Sequence, residues 1–283
     1  MKKFRLQEFK ANFSPEEPQF QNLNRADIIP NNISQNMFIE LISHLTPVTV
    51  QGFNKIRMGN QFDGGYIMLD NLDEITAAYS LGIGGDVSWD LEMAQKHIPI
   101  FQYDHTIECL PIEHPLFKFS QLGVGEYSDV DNKIETLQSI MEKNGHDGDC
   151  NLILKIDIEG GEWETFDSLD VKYLKKFSQI ICEFHDFSRA VEGKWYKRAM
   201  QVFKKLQVYH RIIHVHGNNY APLLIIENVP FPEVLEVTYL RLDNHSFTES
   251  QEVYPTSIDR PNNPQCVDIF LGNFKFSEKK IFK

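Results

Sequence analysis

The stretch LILKIDIEGGEWETF, Leu152 to Phe166, opens as an apolar run and then turns acidic at Asp157, Glu159, Glu162 and Glu164, with Gly160 and Gly161 between them. Its first half, Leu152 to Ile158, has the composition of a strand covered on both faces, and the glycines followed by acids begin a helix. Glu162 and Glu164 suit the first turn of that helix, where the positive end of the backbone dipole favours acids. Asp157 and Glu159 stand on the strand end itself. Side chains alternate along a strand, so these two point the same way.

Reading outward, short β-branched or aromatic runs recur at Ala77 to Leu81, Ile98 to Tyr103, Phe117 to Val124, Gln179 to Phe184 and Arg211 to Val215. Helical patterns separate them. Ser88 is placed to cap WDLEMAQKH, NKIETLQSIMEKNG sets Ile134, Leu137 and Met141 on one face and stops at Gly145, and KWYKRAMQVFKKLQV stacks Tyr196, Ala199, Phe203 and Leu206. Such alternation predicts an α/β fold with a mostly parallel sheet and helices on both faces. After this the stretch APLLIIENVPFPEVLEVTYLRL reads as extended segments with no helix between them, so the sheet is expected to finish in an antiparallel strand. Residues 1–48 read as an N-terminal extension with a short helix over NMFIELISHL, residues 49–273 as the main domain and 274–283 as a tail.

The chain has 283 residues, with 28 basic against 40 acidic side chains and a formal charge of −12. Binding to a nucleic-acid backbone needs a concentrated positive surface, so the charge argues against that class of partner. The acidic balance fits an enzyme of small molecules. Four cysteines without paired spacing suggest neither a disulfide framework nor a thiolate zinc site. No signal-peptide core or membrane-spanning run is present in the sequence, and a cytoplasmic location is expected.

Ligands of open α/β sheets bind beyond the carboxyl ends of the strands, where strand order reverses. The first strand leads into Gly82, Gly84 and Gly85 ahead of a helix, and the second ends at Asp104, an acid suited to ribose hydroxyls. The dinucleotide fingerprint G-x-G-x-x-G is incomplete here. Three strands end in same-side pairs: Asp157 with Glu159, Glu183 with His185, and His214 with His216. As parallel neighbours they would converge beside the glycine turn.

The segments KIRMGNQFDGGYIM, YSLGIGGDVSWDLEMA, NGHDGDCNLILKIDIEGGEWE, IICEFHDF, VLEVTYLR and IDRPNNP resemble successive motifs of the FkbM-type methyltransferase family over about residues 50–272. The most specific element is K-I-D-x-E-G-x-E-W. This resemblance implies a Rossmann-like class I fold with a seven-stranded sheet and S-adenosylmethionine as cofactor. It places Gly82 and Gly84 against the methionine part of the cofactor, Asp104 on the ribose, and Asp63 and Gly64 beside the pocket, with Arg57 as a carboxylate partner. The chain departs from the family pattern in YDHT after the second strand and in Ser80, where an acid commonly precedes the first glycine.

The implied reaction is methyl transfer to a hydroxyl of a sugar or nucleotide-sugar, as in bacterial surface polysaccharide biosynthesis. The alternatives are a non-catalytic nucleoside-binding module and an NAD-dependent oxidoreductase. An acceptor hydroxyl must lose its proton, and His185 is the expected base, with Asp157 and Glu159 as further catalytic candidates. A divalent ion (magnesium, manganese or iron) held by Asp157, Glu183, His185 and His214 would do the same work by lowering the hydroxyl's pKa. Sugar specificity is assigned to Asp259–Pro264 and the N-terminal extension.

Overall fold

The computed structural model describes residues 26–29, 33–148, 151–243 and 245–276. Most of the N-terminal extension and the end of the tail lie outside the described residues. The central sheet is built of β1 (Ala77–Leu81), β2 (Ile100–Tyr103), β3 (Phe117–Ser120), β4 (Leu152–Ile156), β5 (Phe177–Phe184), β6 (His210–Gly217) and β7 (Leu235–Arg241). Their spatial order is β3-β2-β1-β4-β5-β7-β6. Only β7 runs against the others, pairing antiparallel with both β5 and β6. The mixed α/β architecture and the antiparallel final strand follow the sequence expectation.

Alternation sorts the strands' side chains into two cores. On one face Tyr79, Leu154 and Ile156 pack with α1 (Gln35–Ser43), α3 (Leu137–Lys143), α4 (Glu162–Ser168) and α6 (Gly193–Leu206). There Trp163 lies among Phe184, Phe187, Trp195 and Phe203, with ring centroids 4.6–5.7 Å away. On the other face Ala78, Ile153 and Ile181 pack with Trp89 and Met93 of α2 (Ser88–Gln95) and with the hairpin Lys55–Gly59/Gly65–Leu69. Each such buried side chain contributes about 1.5–3 kcal/mol. α1 adds Phe38, Leu41 and Ile42 to the first core, so this part of the extension packs with the sheet. Among the described residues no helix is long and apolar enough to cross a membrane.

Local corrections have local causes. Ser88 is the first residue of α2 rather than its cap; its N–H donates to Asp86 Oδ1 at 2.7 Å, so Asp86 closes the turn. Ile134 belongs to a short strand paired with Gly123–Val124, and α3 begins after Thr136, whose hydroxyl accepts from Ser139 N–H. The expected strand Phe117–Val124 is therefore split.

The chain leaves β1 toward β2 and β3, then returns to β4 on the other side of β1, which opens a crevice at the carboxyl ends of β1 and β4. The two strand ends touch there. Asp157 N–H donates to Leu81 C=O at 2.9 Å, and a Cβ at Gly82 would lie 1.6 Å from the Asp157 carbonyl oxygen. Gly82 also has φ +78°, whereas Gly84, with φ +55°, leaves open space where its Cβ would stand. Gly82→Ala is expected to lose several kcal/mol of stability or fail to fold, since left-handed strain of about 1–2 kcal/mol adds to a backbone collision. Gly84→Ala is expected to fold at a cost of about 1 kcal/mol. Denaturant melts of both variants check this; equal losses would contradict it.

Candidate functional site

A cavity of about 390 Å³ occupies the crevice, with Gly82, Gly84 and Gly85 on one side and Asp157 and Glu159 on the other. Asp63, Gly64 and Asp104 also line it, so the cofactor candidates from sequence are brought together. Asp104 is buried beneath the glycine turn. Its Oδ2 accepts from Ile83 N–H and Gly84 N–H, each at 2.9 Å, and its Oδ1 accepts from the N–H and hydroxyl of Thr106 at 2.7 and 2.6 Å. Burial opposes its charge, yet the donors of Gly84, Thr106 and Ile83 hold it below the ordinary carboxylate range. This carboxylate pins the turn to the end of β2, with two donors on each oxygen.

Opposite, four carboxylates surround one imidazole. His185 Nδ1 lies 3.2 Å from Glu162 Oε1, while Nε2 faces Glu159 at 3.5 Å, Glu183 at 3.7 Å and Asp157 at 4.0 Å. Burial works against a charged ring, but Glu162, Asp157 and Glu159 raise its pKa to about 9. The surrounding carboxylates thus favour the protonated ring, a form with no lone pair to accept a proton.

Burial raises Asp157 to about 6, against the pull of Lys155 and His185, and the same cause drives Glu183 well upward with Asp157 and Glu236 adding to it. The protonated form of Glu183 is thus favoured, while Asp157 titrates near 6. Tyr66 donates its hydroxyl to Asp157 Oδ2 at 3.1 Å. Asp157, Glu159 and His185 each offer one ligand atom, all within 4.8 Å of one another.

The histidines of β6 stand elsewhere, and the reason is β7. It inserts between β5 and β6, so the row through Glu183 continues to Glu236 and then His216. His214, proposed as a metal ligand, instead has Nε2 2.8 Å from Asp259 Oδ1 and Nδ1 3.3 Å from the Lys55 ammonium. An ammonium only donates, so Nδ1 accepts and the Nε2 proton goes to Asp259. Burial lowers the pKa of His214, and Asp259 is held at about 2 although burial opposes its charge. His216 bridges Glu236 and Asp268, both at 3.1 Å. Both histidines tie down the segment that follows β7.

Other residues have roles the sequence concealed. Lys155 is buried, with Nζ donating to Gly82 C=O at 3.0 Å, and it lines the cavity. Its signal was a lone lysine within the apolar run LILKI. Glu162 is not merely an acid at a helix start: it accepts from the N–H groups of Ile158 and Gly160 and meets His185, closing the turn after β4. Trp163 is a packing residue whose indole N–H donates to His185 C=O at 2.8 Å, which fixes the end of β5. Arg57 donates to the carbonyls of Asn60 and Phe62 rather than to a carboxylate, bracing the hairpin turn.

Residues 76–215 match the family model of the methyltransferase FkbM domain, a span running from β1 into β6 and including the glycine turn and the carboxylate cluster. No curated protein matches the chain. The match supports a methyltransferase. With this fold and a site built where strand order reverses, residues 76–215 carry a methyltransferase FkbM domain.

Proposed function

We propose that the chain transfers a methyl group from S-adenosylmethionine to a hydroxyl of a sugar or nucleotide-sugar, the chemistry of a surface polysaccharide modification. The strand order supports a Rossmann-like class I arrangement. The observation that carries the reading is the cavity in which an open glycine backbone faces a carboxylate that burial raises to about 6.

The residues fit the cofactor. Added Cβ atoms at Gly84 and Gly85 would meet nothing within 4 Å, so the backbone there is open to a ligand. When bound, S-adenosylmethionine supplies a methyl group on a sulfonium, which needs no further activation. Gly82 and Gly84 shape the turn for its methionine part, and Asp104 keeps that turn in place. Asp104 reaches the ribose hydroxyls by exchanging the Thr106 hydroxyl for one of theirs, since its oxygens already hold two donors each.

Asp157 takes the acceptor's proton. It lines the cavity, it is ionised above about pH 6, and Tyr66 orients it. His185 is a positioning residue: its cation keeps Asp157 and Glu159 together, and Glu162 fixes its ring. A second reading has its own observation, the three ligand atoms of Asp157, Glu159 and His185 within 4.8 Å. A divalent ion there would displace the Nε2 proton and supply Lewis acidity toward the acceptor oxygen, with Glu162 behind the ring.

Four outcomes are expected. Calorimetric titration finds binding of S-adenosylmethionine and none of NAD; no binding of the former would remove both the cofactor and the mechanism. Asp157→Asn lowers kcat by about 100-fold or more, the ordinary scale for losing a general base. The rate rises with pH as Asp157 ionises near 6 and falls as His185 loses its proton near 9, and the upper limb disappears in His185→Gln. Chelation followed by elemental analysis leaves activity intact in the metal-free mechanism; loss restored by one divalent ion would establish the second reading.

A further inference from the structure

Behind Asp63, which lines the cavity, stands a buried polar cluster to which neither the methyl donor nor the proton transfer assigns a role. Asn262 is 1% exposed and lies in the segment after β7. Its Nδ2 donates to Asp63 Oδ1 at 3.0 Å and to Glu236 Oε1 at 2.6 Å. Both amide hydrogens are thereby spent, and Oδ1 has no partner among the described residues. A buried amide oxygen left unpaired is destabilising, which marks it as a place for a donor from outside the chain.

The surrounding groups share that need. Asp63 lines the cavity, Glu236 is opposite Glu183 in the sheet register, and Glu183 already receives Asn218 Nδ2 at 2.8 Å. The nearby cations already serve protein acceptors. His216 is held between Glu236 and Asp268, Arg57 donates Nε and Nη2 to backbone carbonyls, and Lys155 donates to Gly82 C=O. What Asp63, Glu236 and Asn262 themselves leave unfilled is acceptor capacity. Its complement is a group carrying several O–H or N–H hydrogens, whereas a phosphate brings only further acceptors and negative charge.

From this we infer that Asp63, Glu236 and Asn262 form the acceptor subsite, and that they select a neutral or amine-bearing sugar while rejecting one that carries phosphate close to the methylated hydroxyl. The inference rests on the sugar reading above and narrows it, removing nucleotide-sugars from the acceptor class. Asn262 Oδ1 takes a hydroxyl or amine hydrogen, and the carboxylates of Glu236 and Asp63 take others. Repulsion between these carboxylates and a phosphate provides the discrimination.

The test assays the full chain for methyl transfer from S-adenosylmethionine to a methyl hexoside, a hexosamine, a hexose 1-phosphate and a nucleotide diphosphate-hexose. The unphosphorylated acceptors are expected to exceed the phosphorylated ones in kcat/KM by about 10-fold or more, the scale of one hydrogen bond to a charged group. Asn262→Ala and Glu236→Gln are each expected to raise the acceptor's KM about 10-fold, with the cofactor's affinity by calorimetry unchanged. Glu236→Gln should also narrow the preference against hexose 1-phosphate, an effect that a purely structural role would not produce. If Asn262→Ala loses cofactor binding through misfolding, the isosteric Glu236→Gln variant decides. Equal or better use of the phosphorylated acceptors, or an unchanged acceptor KM in Glu236→Gln, overturns the subsite while leaving sugar methylation standing. Transfer to none of the four, with the cofactor bound, overturns the sugar reading and the subsite with it.

Discussion

The imidazolium of His185 is the counter-charge on which the carboxyl edge of the sheet depends. Four carboxylates, those of Asp157, Glu159, Glu162 and Glu183, lie within 4.0 Å of its ring nitrogens. At an effective dielectric of about 20, two like charges about 4 Å apart repel by roughly 4 kcal/mol, so this group cannot be fully ionised around a neutral ring. The arrangement answers in two ways: the carboxylates favour the charged form of the ring, and burial with the charges of Asp157 and Glu236 disfavours the ionised form of Glu183. What remains ionisable near neutrality is Asp157, at the cavity wall. Acid-base capacity at this position is thus a consequence of charge balance deeper in the sheet. Lys155 adds a second cation on β4, anchored on the carbonyl of Gly82, and so couples the glycine turn to the same balance.

The same device recurs one strand pair away, with a structural outcome. His216 stands between Glu236 and Asp268 and is raised to about 10 by them despite its burial, so it clamps the last segment of the chain as a cation. His214, two residues earlier, has its pKa lowered by burial and meets a different partner, Asp259, with its tautomer set by Lys55. Asn219 adds ties from its side-chain nitrogen to the carbonyls of Asn263 and Cys266. One short sequence, HVHGNN, therefore anchors a segment with no regular structure across the strand ends, and that segment brings Asn262 to the site.

Much of this order was written in local patterns. Strand and helix alternation, the antiparallel end and the meeting of the glycine turn with Asp157 all follow from periodicity and chain reversal, which neighbouring residues encode. The convergence of Glu183 and His185 on Asp157 was legible because β4 and β5 are adjacent and parallel. The β6 histidines were not, because their place depends on where β7 inserts, a long-range choice that no pattern in IIHVHG records. The charge environment of His185 was hidden for a related reason: an ordinary histidine pKa suits proton transfer, but the number of carboxylates around the ring is a tertiary fact. Lys155 and Tyr66 were overlooked as members of motifs, although a lysine in an apolar strand is itself a signal that a buried partner exists.

The two halves of the site are built from different parts of the chain, and this separates what they can vary. The glycine turn, Asp104 and the cluster around His185 all fall within residues 76–215, the span matched by the family, and they are tied to strand ends whose register the sheet fixes. Asp63, Glu236 and Asn262 fall outside it. Of these, Asp63 sits on a hairpin turn and Asn262 on an irregular segment, held by side-chain bonds rather than by a ladder. Substitution at a side-chain tie changes one contact, whereas substitution at Gly82 or Asp157 shifts the junction of two core strands. The cluster of Asp63, Glu236 and Asn262 is therefore the part of this site that can change its chemistry while the glycine turn and the charge balance around His185 stay as they are.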